Sequence, residues 1–264
     1  MCQDMMRAEI WLQDTMGSQE GIDALARKMG YSSSQIRRRF RNYFGLSPGA
    51  YRDRLRLEKA ARLLIHTSSN INQIAGSCGY QNHSAFSRAF QRHYGQPPRR
   101  YRQSLRTTLK RQLNEVADFS YQIRELPPRK AVLTRLYRPS RIRDDLRDWL
   151  RRTPGAEALP ARLEKATPLA IVHDRPLEGA LPRLDLGMQL KAGSTTLALP
   201  PAFRLLDMPA ERHACVILEH VSQLDAAVLY MACRGVSGHG EALSGAPPLL
   251  LQNHDRLELH LPLS

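Results

Sequence analysis

Two stretches of this chain carry the same alternation of apolar and polar positions, fifty residues apart. In Ser32–Phe44 (SSSQIRRRFRNYF), Ile36, Phe40, Tyr43 and Phe44 fall on one side of a helical wheel. Ser34, Arg37, Arg38, Arg41 and Asn42 fall on the other, with Arg39 at the boundary. The pattern predicts an amphipathic helix with an arginine-rich outer face. Ser32–Ser34 offer an N-cap, and Gly45 stands where a helix ends in the left-handed region. In residues 82–95 (NHSAFSRAFQRHYG), Phe86, Phe90 and Tyr94 repeat the apolar side, and Ser84, Arg88, Gln91 and Arg92 the outer side.

The repeat extends in both directions. LARKMGY (25–31) pairs with IAGSCGY (74–80), and Gly45, Pro48, Tyr51 and Arg52 pair with Gly95, Pro98, Tyr101 and Arg102. Ala26 and Ala75 are small where two helices approach, and each Gly-Tyr pair marks a turn. Each unit therefore reads as helix, short turn, helix: a helix-turn-helix, present twice. Between the two, Pro48–Ile65 is continuously helical in pattern, with Pro48 suited to the first turn. Such a helix is ~27 Å long, suited to holding two recognition helices about one DNA turn (~34 Å) apart.

After Phe119 the period changes from helical to alternating. FSYQIREL and KAVLTRLYR read as strands, IRDDLRDWLRR (142–152) as a helix, and LAIVHD and RLDLGMQL as strands. The order then recurs: FRLLDMP and HACVILEH, the helix 222–235, then PLLLQN and RLELHLPL. This predicts an α+β domain of two like halves related by a pseudo-two-fold, with a groove between them for a ligand. The expected organisation is multi-domain: an all-α double helix-turn-helix domain over 1–106, a linker over 107–118 (TTLKRQLNEVAD) and the α+β domain over 119–264.

Charge sharpens this division. Of the formal net charge of +14, residues 1–111 hold 20 Lys and Arg against 7 Asp and Glu, and the remainder 19 against 18. A positive field confined to the helical part favours a polyanion, most simply duplex DNA. The alternative is a solvated basic helix; the duplication argues against it. The four cysteines are scattered, with no Cys-x-x-Cys and no zinc spacing, and fit a reduced compartment. With no signal-peptide core and no long apolar run, a soluble cytoplasmic protein is expected, with no cofactor and no metal.

With these residues quoted, a family emerges. IDALARKMGYSSSQIRRRFRNYFGLSPGAYRDRLRLEKAARLL and INQIAGSCGYQNHSAFSRAFQRHYGQPPRRYR resemble the DNA-binding domain of AraC/XylS-type transcription regulators, over roughly 100 residues. The resemblance implies base reading by Ser34, Arg37 and Arg38 in the first recognition helix and by His83, Ser84 and Arg88 in the second. It implies phosphate contacts from Arg41, Asn42, Arg92, Tyr101 and Arg102. A monomer on DNA and activation by recruiting RNA polymerase are further implications.

The second half is similar to GyrI-like (SHS2-type) ligand-binding domains through LPPRKAVLTRLYR, LDLGMQL, MPAERHACVILEH and LELHLPL, giving a Rob-like layout. That resemblance implies a pocket for a small amphipathic or cationic effector, with Glu258 on the last strand lining it. Trp149, Tyr137 and Tyr230 offer stacking surfaces, and Glu219 and Asp185 are further strand carboxylates. An exposed strand glutamate and a plain core tryptophan are the competing readings.

Two other functional classes stay open at this level: a ligand-sequestering protein, and a small-molecule hydrolase in the second domain. Catalysis has little support in the motifs. Ser237 lacks the Gly-x-Ser-x-Gly frame because His239 stands at the last position, and there is no phosphate-binding glycine loop. The chain is read as a regulator and not an enzyme.

Overall fold

A computed structural model describes residues 3–18, 20–113, 118–174, 182–190, 197–236, 240–254 and 256–264. The chain divides into two compact units, Met1–Thr108 and Leu109–Ser264. The division falls inside the 107–118 segment, and a helix runs on through it as far as Leu113.

The first unit is helical: α1 (Gln3–Asp14), α2 (Ile22–Met29), α3 (Ser33–Phe44), α4 (Pro48–His66), α5 (Ile71–Ser77), α6 (His83–Tyr94) and α7 (Pro98–Leu113). Local chemistry sets the boundaries in matched fashion. Ser32 caps α3, its Oγ accepting from Gln35 N–H while the Gln35 side chain accepts from Ser32 N–H. Asn82 caps α6, accepting from Ala85 N–H at 2.8 Å. Gly45 and Gly95 end the two helices at φ 75° and 74°, each donating to the carbonyl four residues back. Pro48 opens α4 behind the Ser47 cap.

The apolar faces meet as the spacing predicts. Ile36, Phe40, Phe86 and Phe90 are fully buried, and Ala26 and Ala75 are buried small contacts. Tyr43 is an exception: it lies 39 % exposed, its ring edge-on to Phe44 at 5.1 Å. The sequence pattern also left α1 unassigned. It buries Met5, Met6, Ala8, Ile10, Trp11 and Leu12, and its buried Glu9 accepts a 2.9 Å hydrogen bond from Tyr51.

The second unit is one antiparallel sheet of β1 (Tyr121–Leu126), β2 (Arg129–Tyr137), β3 (Thr167–Val172), β4 (Arg183–Gln189), β5 (Arg204–Met208), β6 (Glu211–Leu218), β7 (Leu249–Asn253) and β8 (Arg256–Pro262), with helices α8 (Leu146–Arg151) and α9 (Leu224–Tyr230). Helix α8 is shorter than the expected 142–152, and α9 passes into a π-helical turn at Met231–Gly235. The strand order is β1-β6-β8-β7-β3-β4-β2-β5. Exchanging the two halves of the sequence (β1 with β5, β2 with β6, β3 with β7, β4 with β8) reverses this order onto itself. The sheet is therefore pseudo-two-fold, and the halves trade their first strands: β1 pairs with β6, and β5 with β2. They join through β3 and β7 in a continuous ladder.

Alternation along the strands sorts the two faces. Val132, Leu184, Leu186, Val216, Leu257, Leu259 and Leu261 point to the side covered by α8 and α9. Ala131, Leu133, Leu169, Ile171, Leu249 and Leu251 form a second buried cluster on the opposite face. Gly187 on β4 sits where only glycine fits, because a Cβ there would overlap the Val132 carbonyl oxygen of the paired strand. Gly187→Ala is expected to destabilise the second unit by at least about 1–3 kcal/mol; urea unfolding followed by circular dichroism checks it.

Candidate functional site

Four classes of side chain project from the outer faces of α3 and α6. Ser34, Arg37, Arg38, Arg41 and Asn42 are exposed on α3, and His83, Ser84, Arg88 and Arg92 on α6. Most of the outer arginines of α3 extend freely from a helix whose other side is pinned, but Arg39 is engaged. It donates to Tyr31 Oη at 2.8 Å and its guanidinium lies 4.6 Å from the Tyr31 ring centre, while Tyr31 donates to Asp4. Arg39 thus ties α3 to the α2–α3 turn. On α6, His83 approaches Ser87 Oγ at 3.3 Å, within its own helix.

Helix α4 touches both α3 and α6. Its 19 residues span ~28 Å. Arg54 and Glu58 pair along its surface at 2.7 Å.

Two expected phosphate contacts face inward instead. Tyr101 packs edge-on against Phe90 at 5.2 Å and against Tyr94 at 4.9 Å, and burial pushes its phenol pKa up. Arg102 is half-buried, donating to the carbonyls of Leu64 (3.1 Å) and Ser69 (2.6 Å). Burial, with Arg106 beside it, lowers its pKa. The internal repeat gives the physical reason. Tyr51 packs edge-on against Phe40 at 5.4 Å, and Arg52 donates to the Glu20 carbonyl. One helical turn further, Arg56 donates to the Met16 carbonyl and Arg106 to the Thr67 carbonyl, both at 2.7 Å. The repeated Tyr-Arg and the arginine four residues on are clamps on the chain entering each helix-turn-helix. They satisfy carbonyls in the last turn of the preceding helices or just beyond it.

The side chains proposed for an effector are dispersed. Glu258 lies on the face of β8 opposite the helices. It is ion-paired with Arg124 of β1, and its Oε2 is 3.1 Å from His260 Nε2. It lines an open cavity of about 410 Å³ together with Ile217, Asn253, His254, Arg256 and Leu257. This cavity lies at the β6–β7–β8 end of the sheet and not at the β3–β7 seam where a groove between halves was expected. Ile217, 57 % exposed, supplies an apolar wall. Trp149 on α8 packs against the helix-side core, and Tyr230 on α9 packs against Phe119 at 5.9 Å. Tyr137 ends β2, half-buried, and Glu219 is exposed just after β6. None of these four lines the Glu258 cavity. Ser237 and His239 lie outside the described residues.

Asp185 is not a ligand carboxylate. It is buried and held by Arg135 Nε (2.5 Å), Arg204 Nη2 (2.7 Å) and His173 Nε2 (2.8 Å). Next to it, Arg183 pairs with Asp174 at 2.7 Å. Burial opposes ionisation of Asp185, but Arg135, Arg204 and His173 outweigh it and hold the group well below the usual carboxylate range. Burial, then Arg135, pushes the His173 imidazole down from 6.5 to about 4. This network is a structural tie between β2, β3, β4 and β5.

Similarity to known proteins concentrates on the first unit. Residues 25–104 match a family model described as a helix-turn-helix domain. The HTH-type transcriptional activator RhaS of Escherichia fergusonii is 37 % identical over 93 residues, covering 35 % of this chain and 34 % of RhaS. RhaS of Escherichia coli strain SE11 is 36 % identical over the same length. Over this span the first unit is similar to a helix-turn-helix domain and to part of these activators. The chain spans about a third of the length of these curated relatives. Among solved structures, an AraC-type regulator from Chromobacterium violaceum aligns at 31 % identity with TM-score 0.36, covering 38 % of this chain and 88 % of that one. The DNA-binding domain of AdpA, in complex with a target DNA, aligns at 27 % identity with TM-score 0.38, covering 39 % and 94 %. Among the described residues no helix is long and apolar enough to cross a membrane.

Two outcomes are expected. Arg102→Ala should lower the thermal midpoint of the helical unit, because it unpairs the Leu64 and Ser69 carbonyls at about 1–3 kcal/mol; a loss of DNA affinity without a loss of stability would contradict this. The second unit should lose stability as pH falls from 6.5 towards 4. In that window the unfolded chain takes up a proton that His173 refuses in the fold, and the full effect is on the order of 3 kcal/mol. His213, also pushed down to about 4 by burial and Arg129, acts in the same direction. Urea titrations across this range measure the slope, which His173→Gln should reduce.

Proposed function

We propose that this chain is a sequence-specific DNA-binding transcription regulator, an activator by analogy with its RhaS relatives. The observation that carries the reading is the matched presentation of α3 and α6. Each is the second helix of a helix-turn-helix, each is capped and terminated in the same way, and each turns arginines outward from a pinned phenylalanine face. A helix of this kind fits the major groove, where arginine forms bidentate contacts with guanine and shorter polar groups reach other base edges.

Base reading falls to Ser34, Arg37 and Arg38 on α3 and to His83, Ser84 and Arg88 on α6. Phosphate contacts fall to Arg41, Asn42 and Arg92. Because both helices belong to one chain, a monomer can occupy an asymmetric site. If α4 holds them rigidly, engaging two groove segments bends the duplex, at about 1–6 kcal/mol for a smooth bend. RNA polymerase is the proposed partner in activation.

The palindromic strand order and the cavity at Glu258 support a GyrI-like effector domain in a Rob-like layout. There, a cationic amphipathic molecule would place its charge at Glu258, displacing Arg124, and its apolar body along Ile217.

Arg38→Ala should weaken binding to the selected site by about 1–3 kcal/mol while affecting random duplex less. Arg88→Ala should change the preferred bases at the other end of the site. Sequencing of genomic fragments retained by each variant, with titrations on selected and random duplexes, decides. Equal losses on both duplexes for Arg38→Ala would reassign it to phosphate, and an unchanged motif for Arg88→Ala would remove it from the reading set.

A further inference from the structure

On the face of the second sheet away from α8 and α9, strands β6 and β8 bring three metal-ligating groups together. Cys215 and His260 are direct partners in the ladder, and Glu258 lies two residues before His260 on the same face. The Cys215 thiol, a Glu258 carboxylate oxygen and a His260 ring nitrogen all lie within 4.8 Å of one another. We propose that these three side chains bind a borderline divalent transition ion of the Zn(II) class, with Cys215 as thiolate and a fourth position left for a further ligand.

The polar bookkeeping of the site favours an ion. His260 is buried, and its Nε2 has no hydrogen-bond partner, although Glu258 Oε2 stands 3.1 Å away outside hydrogen-bond geometry. Buried polar groups normally have partners. Two ligand atoms on a tetrahedral zinc, each about 2.0–2.1 Å from it, sit roughly 3.3 Å apart. His213 is also buried, its Nδ1 is without a hydrogen bond, and its ring centre is 5.8 Å from that of His260. The Glu258 carboxylate divides its work: Oε1 faces Arg124 and Oε2 faces His260. Glu258 also lines the open cavity, which gives an ion a route in.

The pseudo-two-fold supplies an internal control. Register matches Glu258 to Asp185, His260 to Gly187, Cys215 to Leu133 and His213 to Ala131. The first half builds the same strands with leucine, glycine and alanine where the second half has cysteine and two histidines. The fold itself does not demand those groups. Sequence spacing alone hid them, because His213-x-Cys215 and Glu258-x-His260 become one cluster only when β6 and β8 pair. The donor set of one thiolate, one imidazole and one carboxylate suits zinc, or cobalt as its spectroscopic substitute, over calcium or magnesium. Binding releases the Cys215 thiol proton as the metal–sulfur bond forms.

The test is titration of the full chain with Co(II). The expected result is one equivalent bound, with a thiolate-to-cobalt charge-transfer band and intense tetrahedral d–d absorption, both abolished by one equivalent of Zn(II). Cys215→Ser should remove the charge-transfer band, and Cys233→Ser should leave it. His260→Ala, at a position whose counterpart is glycine, should weaken binding by more than about tenfold. It carries the test even if Cys215→Ser does not fold. Absence of the charge-transfer band in the unaltered protein, its survival in Cys215→Ser, or an unchanged Kd in His260→Ala would overturn the proposal. The readout is independent of DNA and of any organic effector.

Discussion

The first unit depends on one packing relation, used twice: a fully buried phenylalanine holding an arginine-bearing helix against a tyrosine of the next helix. Phe40 against Tyr51 and Phe90 against Tyr101 meet edge-on at 5.4 and 5.2 Å. Burying such rings stabilises by about 1.5–3 kcal/mol each, with about 0.5–1.5 more from ring geometry. That is enough to seat a helix whose other face bears mutually repelling cations. Without these contacts α3, with Arg37, Arg38, Arg39 and Arg41 in five positions, would have little reason to remain a helix at a fixed angle. Arg52, Arg56, Arg102 and Arg106 extend the same design, each donating to backbone carbonyls. The positive charge of this unit is therefore of two kinds, one bound to backbone carbonyls and one on the outer helix faces.

The second unit relies on a different device. Its halves use related strands but treat the opposite face of the sheet unequally. In one half Asp185 is saturated by Arg135, Arg204 and His173 and sealed from solvent. In the other, the register position of Arg135 is taken by exposed Ile217, and Glu258 borders an open cavity. A shared topology thus supports one closed structural centre and one accessible centre. This asymmetry leaves the Glu258 carboxylate beside an open cavity while Asp185 is closed off.

Much of this was legible from periodicity. The 3.6-residue spacing located α3 and α6 and their buried faces, and alternation located all eight strands near their observed bounds. What periodicity reports is which side of an element is apolar, not what it meets. The resemblance implies phosphate contacts for Tyr101 and Arg102, and only the fold reveals the carbonyls that Arg102 reaches. Helix α1 escaped notice because its apolar residues are too many for a clean stripe, with Glu9 buried among them. Asp185 and Glu258 looked alike as strand carboxylates. Their difference comes from partners contributed by strands distant in sequence. The exchange of β1 and β5 between halves had no local signature, since pairing partners are a long-range property.

That exchange governs the order in which the molecule can assemble. Strand β1 begins at Tyr121, soon after the helical unit, yet among the described residues its ladder neighbour is β6, which itself pairs with β8. During synthesis β1 must wait, unpaired, until β6, which begins at Glu211, has left the ribosome. The helical unit closes through contacts nearby in sequence and is free to fold much earlier. A nascent chain interrupted before β6 would carry a finished helical unit with an unsatisfied strand attached.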